Sequence, residues 1–93
     1  MNIRKLKLAL TVDLLNLPAS PDMLHRVQMV MNKFNNEVGA YLGLVQIQKL
    51  NIDEDFERQT LALQYENCTL DINFFKNKST ESQYLQGFNI QSA

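Results

Sequence analysis

Between Leu6 and Leu14 the apolar residues fall at every second position: Leu6, Leu8, Leu10, Val12 and Leu14, separated by Lys5, Lys7, Ala9, Thr11 and Asp13. Residues two apart share one face of a strand, so this run predicts a half-buried strand with Lys5, Lys7 and Thr11 along its wet rim. A helical stripe also runs through Ile3, Leu6, Leu10, Leu14 and Leu17, but it leaves Leu8 and Val12 off the buried face, and the strand is the reading preferred. Pro18 ends the run. Ser20, Pro21 and Asp22 then predict a helix start, with a hydroxyl to cap free amides, a proline for the first helical position and a carboxylate near the positive dipole end.

The stripe Leu24, Val27, Met31, Phe34 and Val38 follows the three-four spacing of an amphipathic helix, widened by Met23 and Val30. Asn35, Asn36 and Gly39 tolerate the left-handed conformation that closes a helix, so the helix is predicted to end there and a second strand to span about residues 41–50. Continuing the helix to Leu50 would place Gly39 and Gly43 inside it, at ~1 kcal/mol each. Residues 51–55 form a polar turn. Beyond them Leu61, Leu63 and Tyr65, then Cys68, Leu70, Ile72 and Phe74, alternate with polar residues and predict a hairpin turning near Asn67. Thr80 to Gln83 fits a capping box, which predicts a short final helix carrying Tyr84, Leu85 and Phe88, with residues 1–2 and 89–93 frayed.

These elements make residues 1–93 a single two-layer α+β domain: one main helix packed on a three- to four-stranded mixed sheet in the order βαβββ, with a short C-terminal helix. The first helix would cross over between two parallel strands. One apolar and one polar face per strand leaves the far side of the sheet wet or covered by a partner.

A chain of 93 residues with 45% hydrophobic and 20% charged residues lies in the globular range, and its net charge of -1 gives no overall attraction to nucleic acid or an anionic membrane. The charge is uneven: residues 1–49 sum to +3 and the rest to -4. Separated patches of that kind steer association between copies. The single cysteine, Cys68, predicts a reducing, cytoplasmic setting. The basic, apolar start resembles an export signal only until Asp13, and no run reaches the length of a membrane span, so no membrane association is expected.

Candidate chemistry is sparse. His25 is the only histidine and has neither a thiol nor a carboxylate at ligand or triad spacing. Cys68 keeps period two with Leu70, Ile72 and Phe74, as a small buried hydrophobe does. Asp53, Glu54, Asp55 and Glu57 alternate as a calcium loop does, but without its glycine or its closing glutamate. The three glycines match no phosphate-binding loop. No cofactor, metal or small-molecule substrate is therefore expected, and the chain is read as a non-enzyme.

The function expected is that of a protein-protein interaction module, self-associating as a homodimer and acting as a small accessory, regulatory or inhibitory protein of microbial or phage-like composition. Its expected partner-binding residues are Lys5, Lys7 and Thr11 on the strand rim, Asp53, Asp55 and Glu57 in the acidic turn, and Tyr84 and Phe88 as aromatic anchors. The alternative is a nucleic-acid-binding regulator using the basic N-terminal half. Phe75, the one aromatic predicted on the open sheet face, offers such a module a single stacking platform.

Overall fold

The computed structural model describes residues 2–92. Three helices precede four strands: α1 (Ile3–Leu15), α2 (Met23–Asn32), α3 (Asn35–Val38), β1 (Tyr41–Asn51), β2 (Phe56–Tyr65), β3 (Cys68–Asn77) and β4 (Gln83–Ser92). The fold is α+β with two layers, but the predicted βαβββ order and mixed sheet are overturned. All strand pairs are antiparallel in the order β1-β2-β3-β4, and no crossover exists among the described residues.

The first correction is the N-terminal run, which is a helix. Leu6, Leu10 and Leu14 stack on one face at four-residue spacing and are buried, whereas Leu8 and Val12 stand 66% and 61% exposed. A period of four is contained within a period of two, so the leucines satisfy both patterns. Helix formation is reinforced locally by Asn2, whose side chain accepts from the Lys5 N–H at 3.1 Å and caps the first turn. Lys5, Lys7 and Thr11 thus project from α1 and form no strand rim. The Thr11 hydroxyl donates to the Lys7 carbonyl one turn back, at 2.7 Å.

The single helix predicted to run to Gly39 is divided at Lys33 and Phe34 into α2 and α3, although its apolar stripe holds. Met23, Val27, Val30 and Met31 are buried on α2 and Val38 on α3, with Leu24 and Phe34 half-buried beside them. Its start differs from expectation, since Asp22, not Ser20, occupies the cap position. Ser20 instead forms a backbone bridge to β4, donating its N–H to the Gln83 carbonyl at 2.8 Å and accepting the Gln83 N–H at 2.9 Å. Gly39 closes the helical segment with φ of 79°, as its sequence position predicts.

The hairpin of β2 and β3 has the expected alternation. Leu61, Leu63 and Tyr65 pack beside Leu70, Ile72 and Phe74 under the helices, while Arg58, Thr60, Asn73 and Phe75 turn to the open face. There Thr60 donates to Asn73 at 2.7 Å.

The C-terminal helix is the other correction. Residues 83–92 form β4, paired along β3 from Lys76↔Gln83 to Cys68↔Ser92. The register slips between Asn73 and Phe74: Phe74 faces Leu85 and Asn73 faces Gly87, so Gln86 is an extra residue. That bulge brings Leu85 and Phe88, three apart, to the same buried side and gives a strand the spacing of a helix. The residues expected to fray include Ile90, which is buried in the core. Met1 and Ala93, also expected to fray, lie outside the described residues.

The helices lie over one face of the sheet, with α1 packed chiefly on β4 and α2 against both. One buried apolar cluster joins Leu6, Leu10 and Leu14 to Val27, Met31, Leu63, Leu70, Ile72 and Phe74.

Candidate functional site

β1 is held by β2 along one edge, from Tyr41↔Tyr65 to Asn51↔Glu57, and among the described residues no strand lies on its other edge. The helix layer stops short of it. Every residue of β1 except Gly43 is exposed, although the strand is rich in large apolar side chains: Leu42, Leu44, Val45, Ile47 and Leu50, with Tyr41 at its start and Ile52 just beyond its end. Leu44 lies opposite the fully buried Leu63 yet is itself 42% exposed, so the core ends between β2 and β1.

Two register shifts shape this edge. Leu42 and Ile47 are the extra residues between Tyr41 and Gly43 and between Gln46 and Gln48, and they are the most exposed apolar groups of the strand. Bulges re-aim side chains, and here each one aims an aliphatic group into water.

Natural sheets blunt free edges with charge, proline or bulges, and of these β1 has the two bulges at Leu42 and Ile47. β1 has no proline and one charge, Lys49. Its ammonium stands 3.7 Å from the Glu57 carboxylate, a group almost buried on β2, so the charge is answered within the chain. Glu57 also accepts from the Gln59 side-chain amide at 2.8 Å.

The residues expected from the sequence to bind a partner do not gather on this surface. Lys5, Lys7 and Thr11 sit on α1, whose outer side also exposes Leu8, Val12 and Leu15. Asp53 and Asp55 are exposed in the turn between β1 and β2. There the Asp53 carboxylate accepts the N–H groups of Asp55 and Phe56 at 2.8 and 2.9 Å, a turn-building duty. Glu57 belongs to the β2 ladder beneath Lys49 and is buried, contrary to its placement on an acidic rim.

Tyr84 is exposed on the open face, stacked on Phe75 with ring centroids 5.5 Å apart, so that face holds two aromatics where the sequence predicted one. Phe88 packs against the core and is no free anchor. The cations Lys5 and Lys7, expected beside Phe75, are on the helix layer instead. The sequence reading missed β1 itself as a site. Its signal was the run Leu42, Leu44, Val45 and Ile47, which puts apolar groups on both faces where a half-buried strand would alternate.

His25 is exposed on α2, and Cys68 is fully buried at the start of β3, where desolvation pushes its thiol pKa upward. Desolvation likewise raises Tyr65 to about 12, with smaller contributions from Tyr41 and Cys68. Asp22 is held below the usual carboxylate range by its hydrogen bond from Ser20 and then by Arg26, 3.2 Å away. A shallow cleft of about 240 Å³ between Leu17, Arg26, Met29, Val30 and Lys33 is small and open beside that pair. Among the described residues no three His, Cys, Asp or Glu side chains converge as a metal site would require, and no helix is long and apolar enough to cross a membrane.

No protein-family model, curated protein or solved structure matches this chain.

Proposed function

We propose that this domain acts by binding protein, through the free edge of β1. The observation that carries this reading is an eleven-residue strand, uncovered and aliphatic on both faces, in a molecule whose other strands place their aliphatic side chains in or against one core. An exposed apolar patch of this kind marks an interaction surface. Strand addition suits this one, because backbone hydrogen bonds along the open edge supply binding and the aliphatic groups at Leu42 and Ile47 supply anchors. The module needs no reacting groups for this role. Regulation, inhibition or scaffolding would follow from which surface of the partner is covered.

A photo-crosslinking amino acid placed at Ile47 on β1, and separately at Asn89 on β4, tests the proposal in the cells that make the protein. Protein adducts from Ile47 and none from Asn89 are expected. Nuclease-sensitive adducts at Ile47, or no preference between the two sites, would overturn it.

A further inference from the structure

We infer that the partner seated on β1 is a second copy of this chain, its own β1 paired antiparallel to the first so that two four-stranded sheets join into one of eight strands. The inference rests on the proposal that β1 is a protein-docking edge and goes further by naming the occupant.

Charge selects among occupants. The outer edge of β1 offers a partner no unanswered charge, since Lys49 is already matched by Glu57 in the same chain. An acidic or basic peptide would lose hydration there and gain no counter-charge. Two copies of an edge that is neutral in this way meet without repulsion, and each chain's net charge of -1 adds little against them.

Size agrees. The seven large side chains from Tyr41 to Ile52 are each between 37% and 65% exposed. They flank the edge on both faces of the sheet and line a paired strand, adding toward the ~800 Å² that each member of a standard interface contributes. The remainder is within reach of the edge backbone and of Gln46 and Gln48. A strand of identical length also matches the edge from end to end, roughly 37 Å at the usual rise, with its ladder interrupted at the bulges of Leu42 and Ile47. A domain of this size buries only roughly 60 to 65% of its unfolded surface, and joining two sheets extends the buried layer where the helices fail to reach.

The opposite edge does not compete. Near its start β4 is bridged by Ser20, and its outward positions carry Gln86, Asn89 and Gln91. An isologous β1 contact closes after two copies, which gives a dimer and not a fibre.

The experiment is molar mass by light scattering on the purified full chain, from about 1 μM to about 1 mM, combined with amide hydrogen exchange at both ends of that range. A dimer is expected, with protection rising on Tyr41–Asn51 as concentration rises and unchanged on Gln83–Ser92. Val45→Lys, at a half-exposed position, should weaken the dimer by at least about 30-fold with its far-UV circular dichroism unchanged, and Gln91→Lys should leave the dimer intact.

A monomer at the highest concentration, a dimer protected on α1 or β4, or a dimer indifferent to Val45→Lys would overturn the inference. A purified monomer whose Ile47 still crosslinks to a different protein in cells would overturn self-pairing alone and leave the docking role of β1 standing.

Discussion

The two outer strands of the sheet receive opposite treatment. β4 lies under α1, turns Leu85, Phe88 and Ile90 inward and Gln86, Asn89 and Gln91 outward, and is tied near its start by Ser20. β1 receives no helix, shows aliphatic groups on both faces and meets water along its free side. Both obey the hydrogen-bond demands of a sheet with one neighbour apiece. What separates them is whether apolar side chains were placed where the molecule can cover them. In β4 they were, and in β1 they were not, so β4 reads as an element serving the fold and β1 as one serving an encounter.

That contrast predicts a large difference in folding energy. Ile90→Ala should cost about 2 to 5 kcal/mol, because it opens a hole in a packed core. Leu44→Ala should cost the monomer less than about 1 kcal/mol, since much of that side chain is already in water. Urea denaturation of both variants at low protein concentration checks the pair, and equal costs would break the distinction.

Gly39 sharpens it at the point where the chain enters β1. Its φ of 79° with ψ of -167° is a conformation open to glycine, and an added Cβ would approach the Glu66 Cβ to 2.8 Å. Gly39→Ala should therefore cost about 1 to 3 kcal/mol, seen as a lower urea midpoint. The loss would show that the path into β1 is fixed by the fold even though the strand's side chains are not.

Tyr65 gives the smallest expected effect and reports on the boundary itself. It is buried on β2 beside Tyr41, the first residue of β1, with ring centroids 5.4 Å apart. Its folded pKa, raised to about 12 from 10.0, means that the native state holds the phenol proton more tightly than the unfolded chain. The associated stability is fully present below pH 10 and is lost as pH rises toward 12, by an amount on the order of 1 to 2 kcal/mol. Tyr65→Phe should flatten stability over that window, measured by denaturation at stepped pH.

Where the sequence was legible, one period alone fitted the residues. Leu61, Leu63 and Tyr65 against Cys68, Leu70, Ile72 and Phe74 admit a hairpin and nothing helical, and Leu24, Val27, Met31 and Val38 admit a helix and no strand. The two ends were misread for separate reasons. Leu6, Leu10 and Leu14 fit both periods, and only the exposure of Leu8 and Val12 decides between them. At the other end the extra residue Gln86 shifts Leu85 and Phe88 to a three-residue spacing, and Thr80 and Gln83, which resemble a capping box, flank the start of a strand.

The site suffered from the first of these errors. With a strand at the N-terminus, the rim falls at Lys5, Lys7 and Thr11, and β1, whose boundaries match the predicted second strand, receives no role in binding. No pattern within β1 says that the helices fail to reach it. That fact depends on α1 packing over β4, a long-range outcome.

The pairing of α1 with β4 joins the first element of the chain to the last. During synthesis on the ribosome, α1 emerges with Leu6, Leu10 and Leu14 exposed, and the strand it packs on is translated after the other three. Closure of the core should accordingly wait until β4 has been made, and until then the apolar face of α1 is open to a chaperone.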